Sequence, residues 1–193
     1  MNFASIFNLE RELAAYTGAP FVVLTDGCTH ALELVFRYYQ IQQVQFTAFT
    51  YVGIVQMLRN IKIDYQLLDE QWEGEYCFHS TNIWDSARRL EPGMYRSGQV
   101  QCLSFGNGKP IQVGKCGAVL LDDEAAYRAL SCMRSDGRDL HISPWNDQIE
   151  FRSGWHYCPT LESAELARAK LKTVIPQRQK VVYPDCRKIS FIL

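Results

Sequence analysis

The sequence predicts an α/β fold, a three-layer sandwich around a mainly parallel sheet. Short apolar runs of strand length alternate with segments whose apolar residues recur at helical spacing, and the alternation continues along most of the chain. The length of 193 residues suits one ordinary domain with a real core and would crowd two.

Taken in order, residues 8–16 place Leu9, Leu13 and Tyr16 on one helical face before Gly18 and Pro20 end it. Residues 21–24 (FVVL) read as a buried strand, and a helix over 29–40 follows with Ala31, Leu32, Val35, Phe36 and Tyr39 in register. A strand at 44–49, a helix at 51–60 and a strand at 63–69 repeat the pattern. Further strands are expected at 81–85, 100–105 and 116–122, and two helices at 123–135 and 160–173. The connection over 135–159 is turn-rich and aromatic, long enough to suggest function or motion. The apolar tail at 181–193 suggests one more strand.

Composition excludes some classes. Twenty Lys+Arg against 21 Asp+Glu leave a formal net charge of -1, so no long-range field draws the chain to nucleic acid or an acidic membrane. Seven scattered cysteines, an odd number without a Cys-x-x-Cys pair, argue for reduced, mostly buried thiols rather than a disulfide framework or zinc site. The charged start and the absence of a long apolar run lead us to expect a cytoplasmic protein without signal peptide or membrane span. No metal site is expected, because His30, His79 and His141 lack ligand spacing.

The most informative stretch is CLSFGNGKPIQVGKCGAVLL, residues 102–121, where Lys109 follows a strand among glycines. A nucleotide-binding P-loop would need glycine where Leu103 stands and Ser or Thr where Pro110 stands; a dinucleotide fingerprint would need a third glycine in place of Ile111. Both readings fall. What remains is a constellation: Asp85 closes one strand, Ser104 lies near the end of the next and Lys109 sits just beyond. All are at carboxyl ends of strands, where α/β sheets place ligands. Pyridoxal 5'-phosphate (PLP) makes matching demands. Its aldehyde needs a lysine amine, its ring nitrogen a carboxylate, and its phosphate backbone N–H groups and hydroxyls at a helix N-terminus. Lys109, Asp85 and the DGCTH turn with Ser104 can meet them.

In their order, these motifs resemble the DegT/DnrJ/EryC1/StrS family of PLP-dependent sugar aminotransferases, of fold type I. The resemblance runs from FNLERELAAYTGAPFVVLTDGCTHALEL to GWHYCPTLESAELARAKL, nearly the whole chain. It implies that Gly27, Cys28 and Thr29 hold the phosphate together with Ser104, that Tyr51 stacks on the ring, and that Asp85 pairs with the ring nitrogen. By the same resemblance Lys109 of SFGNGK binds the aldehyde. Arg88 stands where the family has glutamine and reads either as a solvated helix charge or as a contact to cofactor or a substrate anion. His156 of GWHYCP, standing for an asparagine, would reach the cofactor of the second protomer in a homodimer with shared sites.

The resemblance also implies amino transfer from a donor such as glutamate to a keto group of a nucleotide-linked sugar. The family's C-terminal small domain is largely absent from this single 1–193 unit, and EQWEGEYCFHS stands where a further strand and helix are usual. Three rivals follow: a compact PLP decarboxylase or isomerase acting on an amino-acid-like group of a nucleotide or modified base, a non-catalytic descendant of the fold, and a plain nucleotide-binding module.

Overall fold

The computed structural model describes residues 3–192. Helix α1 (Ala4–Thr17) begins earlier than the periodicity suggests, because Ile6 extends the buried face of Leu9 and Leu13. It ends at Gly18, whose φ of +79° lets its N–H close on the Ala14 carbonyl at 2.8 Å. There follow β1 (Phe21–Thr25), α2 (Cys28–Tyr38), β2 (Gln43–Thr47), α3 (Val52–Asn60), β3 (Asp64–Leu68), β4 (Tyr76–Cys77) and β5 (Ile83–Asp85). The second half holds β6 (Arg89–Leu90), β7 (Val100–Ser104), β8 (Gly117–Leu121), α4 (Glu124–Met133), α5 (Leu161–Leu171) and β9 (Gln177–Arg178).

The main sheet has the order β1-β8-β7-β5-β4. Strands β1, β7 and β5 share one direction, and β8 and β4 oppose it. The parallel pair β2-β3 continues beyond β4 through an antiparallel bridge from Gln45 to His79. Most strands therefore run one way, as expected, within a mixed sheet. The reversed β4 comes from residues 70–80, where a hairpin closed by Phe78 N–H on the Ile83 carbonyl at 3.0 Å brings β4 against β5. Strands β4, β6 and β9 have two residues each, too few to leave a period in the sequence.

Alternating side chains of the sheet feed two cores. Val23, Val100, Cys102, Val119 and Leu121 join α2, α3 and α4 on one face. Val22, Leu24, Leu103, Ala118 and Leu120 join α1 and α5 on the other. These are the three layers. The tail does not form the expected strand: over 181–192 it makes an isolated bridge, Asp185 to Phe49, and a short 3-10 turn, Cys186–Lys188. Pro184 has no N–H to give a ladder, and Asp185 caps the turn by accepting from Arg187 N–H at 3.0 Å. Leu193 lies outside the described residues. Among the described residues, no helix is long and apolar enough to cross a membrane.

Strand β1 is an edge strand, and one ion pair covers its open side. The Glu10 carboxylate of α1 accepts from Leu24 N–H at 2.8 Å and from Arg134, which itself donates to the Leu24 carbonyl at 2.9 Å. Arg134 is 1% exposed. Removing one member of a buried pair strands the other charge, at a cost of about 3–5 kcal/mol. Arg134→Met is expected to lower unfolding free energy by that amount in urea titrations; a loss below about 1 kcal/mol would show that the edge closes without the pair.

Candidate active site

A cavity of about 580 Å³ opens at the carboxyl ends of β1, β5 and β7. The sequence-predicted residues Gly27, Cys28, Thr29, Tyr51, Asp85, Arg88, Ser104 and Lys109 all line it.

Its first wall is the turn from β1 into α2. Gly27 precedes the helix in extended backbone and carries no capping side chain, so the first-turn N–H groups of α2 have no capping side-chain partner. The turn sits against the start of β8, and Gly117 makes that approach possible. A Cβ there would stand 2.7 Å from both Cys28 N and Gly27 C, and 2.8 Å from the Leu103 carbonyl oxygen. Beside the turn, His30 bonds Asp26 at 2.6 Å and stacks on Tyr157 with ring centroids 3.7 Å apart.

Asp85 ends the central strand β5, 5% exposed. One carboxylate oxygen accepts from Ala87 N–H at 2.9 Å and from the Cys28 thiol at 3.7 Å; the other accepts from the Tyr76 hydroxyl at 3.0 Å. Tyr76 in turn shares a hydrogen bond of 2.8 Å with Thr50. Burial pushes the Asp85 carboxyl above its ordinary range, with the Lys109 ammonium and the three donors pulling the other way. Burial also pushes the Cys28 thiol well up, which leaves it a protonated donor rather than a nucleophile.

Lys109 rides on the excursion between β7 and β8. Buried Phe105 and Ile111 anchor this loop, Phe105 N–H closes on the Cys116 carbonyl at 2.9 Å, and Gly108 and Gly114 take φ of +71° and +85°. Two lysines reach the cavity from it, Lys109 and Lys115. Among the described residues, neither amine has a carboxylate in ion-pair range or a hydrogen-bond acceptor, although Lys109 acts on Asp85 through its charge.

Three other predicted residues behave differently. Tyr51 stands at the rim, 56% exposed, as the extended residue before α3 rather than inside it. Arg88 lines the cavity but is held by Tyr183, Gln179 and the Gly108 carbonyl. His156 lies off this cavity, exposed and 3.0 Å from Asp136. Sequence reading missed Trp72, Tyr76, Tyr183 and Lys115. Trp72 stacks on Tyr183 at 5.8 Å, and no local pattern announces a meeting between residues so distant in the chain. Among the described residues there is no cluster able to hold a metal ion.

An α/β sheet with a lysine, a buried carboxylate and a helix N-terminus around one cavity defines a cofactor-binding fold of the PLP type. Residues 3–78 and 94–180 match the DegT/DnrJ/EryC1/StrS aminotransferase family, and the chain belongs to it. Asp85 and Arg88 fall between the two matched stretches, so their placement rests on geometry. No curated protein sequence matches the chain.

Several solved structures share the fold. 3-Amino-5-hydroxybenzoic acid synthase superposes with a TM-score of 0.71 at 21% identity, over 88% of this chain and 56% of its own. AtS13 from Actinomadura melliaura gives 0.75 at 17% identity, over 88% and 60%. Spr1654 from Streptococcus pneumoniae, in its PMP form, gives 0.70 at 17%, over 88% and 59%; it is also solved in a PLP form. The chain thus spans between 56% and 60% of the length of these relatives. The family's cofactor is PLP, and an unpaired amine, a buried carboxylate and uncapped helix N–H groups in one cavity fit its aldehyde, ring nitrogen and phosphate.

The raised Asp85 sets a pH test. A carboxyl with a folded pKa above its unfolded value costs stability above that pKa and recovers it as pH falls toward the ordinary value. Asn at 85 keeps an oxygen for Ala87 and Cys28, and Tyr76 can turn its proton to Thr50. Asp85→Asn is therefore expected to raise the Tm of the cofactor-free protein at pH 7, with the advantage over wild type shrinking toward pH 4. The difference between the two proteins is the readout, because Glu75 and Asp122, held low by their donors, make both lose stability in acid. A variant less stable than wild type at pH 7 would overturn this.

Proposed function

We propose that the protein is a PLP-dependent aminotransferase that moves an amino group from an amino acid such as glutamate to a keto group of a nucleotide-linked sugar. The observation that carries this is an unpaired Lys109 amine in one cavity with the buried Asp85 carboxylate. PLP, when bound, supplies an aldehyde that condenses with amines and a ring that withdraws electrons from the substrate carbon. This chain's residues would do the rest.

Lys109 would hold the cofactor's aldehyde carbon until the donor amine takes its place. Its Nζ, then free, would take the proton from the donor's α-carbon and return one on the acceptor's side. Asp85 would keep the ring nitrogen protonated, and Tyr76, Cys28 and Ala87 N–H would hold that carboxylate in line. The N–H groups of Gly27, just before α2, and of Cys28 and Thr29 in its first turn, with Ser104, would bind the phosphate. Tyr51 would lie against the ring, as Gly53 allows: a Cβ there would be 2.5 Å from the Tyr51 ring. His156 would serve the second protomer of a homodimer. Residues 1–193 would act as one PLP-binding unit, working in the cytoplasm.

Purified protein with added PLP is expected to turn yellow, and borohydride followed by peptide mass mapping to place the adduct on Lys109. Lys109→Ala should lose the adduct and lower amino transfer by about 10²–10⁴-fold, the usual worth of a positioned proton carrier. A colourless protein with no adduct on any lysine would favour a non-catalytic role, and carbon dioxide release in place of keto-acid formation a decarboxylase.

A further inference from the structure

His30 is the third residue of α2 and lines the cavity beside Gly27, Cys28 and Thr29; among the described residues no other histidine does. Its ring is gripped on two sides. Nδ1 meets the Asp26 carboxylate at 2.6 Å, and one face lies on Tyr157 with centroids 3.7 Å apart and planes 4° from parallel. Both partners are fixed in turn: the Asp26 N–H donates to the Tyr157 carbonyl at 2.7 Å, and the Tyr157 hydroxyl donates to Glu33 at 3.3 Å. The polar atom left over is Nε2, which has no hydrogen-bond partner among the described residues. His79 and His156 differ, each pairing with a surface carboxylate away from the cavity.

The clasp has a charge logic. Asp26 stands directly before Gly27 and itself lines the cavity, so a bare carboxylate there would repel an anion held by the N–H groups of the turn. Paired with His30, it instead orients the ring. With Asp26 accepting from Nδ1–H, the second ring proton sits on Nε2 at the opposite edge, and an imidazole carrying both protons is a charged donor. The clasp runs from the third helical residue back to the one before Gly27, alongside the N–H groups of Cys28 and Thr29. Place in the fold separates the possible ligands. The aldehyde and ring nitrogen belong to Lys109, beyond β7, and to Asp85, at the end of β5, whereas His30 belongs to the turn that would take the phosphate.

We infer that His30 binds the cofactor's phosphate through Nε2. The inference rests on the function proposed above, and adds a charged side-chain donor to a phosphate site otherwise made of backbone N–H groups and the Ser104 hydroxyl.

The test compares PLP with pyridoxal, which has the same aldehyde and ring and no phosphate. Dissociation constants are read from the lysine-bound chromophore for wild type, His30→Asn and His30→Gln, each expressed as the ratio of pyridoxal to PLP. Asn keeps a polar atom at the place of Nδ1 for Asp26 and removes Nε2; Gln places an amide N–H where Nε2 stood and gives up the Asp26 bond. His30→Asn is expected to cut the preference for PLP by about 10-fold or more through the PLP constant alone. His30→Gln should retain part of it. Equal weakening of both ligands in His30→Asn would mean that His30 only steadies the turn, and a lower ratio in His30→Gln than in His30→Asn would trace the effect to the Asp26 bond; either overturns the inference. A wild-type preference for PLP that survives unchanged in His30→Asn overturns the inference and leaves the proposed function standing. If wild type forms no chromophore with either ligand, the proposed function fails and the inference with it.

Discussion

The architecture depends on how the open edge of β1 is closed. Leu24 offers an N–H and a carbonyl to no neighbouring strand, and Glu10 and Arg134 satisfy both. The two side chains come from α1 and from the end of α4, helices that belong to opposite layers. A single backbone residue thereby registers both layers against the sheet. The chain then runs from Leu24 through Thr25 and Asp26 into the Gly27 turn, so the same contact sets where α2 begins. A buried pair is not a strong source of net stability against an apolar alternative. Its value here is geometric, since no hydrophobic side chain could answer an N–H and a carbonyl at once.

The chemistry sits on a less comfortable element. Asp85 is buried at the end of a central strand with three donors, and burial still outweighs them. The Cys28 and Tyr76 groups around it are themselves pushed toward their protonated forms, so they serve as donors throughout the neutral range. The cofactor-free site therefore holds a carboxyl that burial drives toward its neutral form, and Lys109 opposes this only through its charge at a distance.

The larger elements were legible because their periods are long enough to read. The helices at 29–40 and 51–60 and the strands at 21–24, 100–105 and 116–122 were recovered within about two residues, the usual scatter of helix and strand ends. The cavity's lysine, its carboxylate and its turn were also legible, since each follows a strand in a recognisable order. What escaped depends on long-range meeting. Tyr76 reaches Asp85 only because a hairpin of two-residue strands reverses direction, and Tyr183 reaches Arg88 because Pro184 and Asp185 stop the tail from pairing as a strand. Neither event has a local signature, and both add cavity wall that periodicity alone would leave blank.

Gly117 is the first residue of β8, pairs with Thr25 and Ser104, and does not itself line the cavity. Its missing side chain is nonetheless occupied, by the backbone of the Gly27–Cys28 turn and by the Leu103 carbonyl. Two of the strands that carry the site's residues thus approach through the space of one absent methyl group. The residue type at 117 is set by the helix start it shelters rather than by the strand it belongs to. A core position becomes, in effect, the gauge of how closely that turn approaches the sheet.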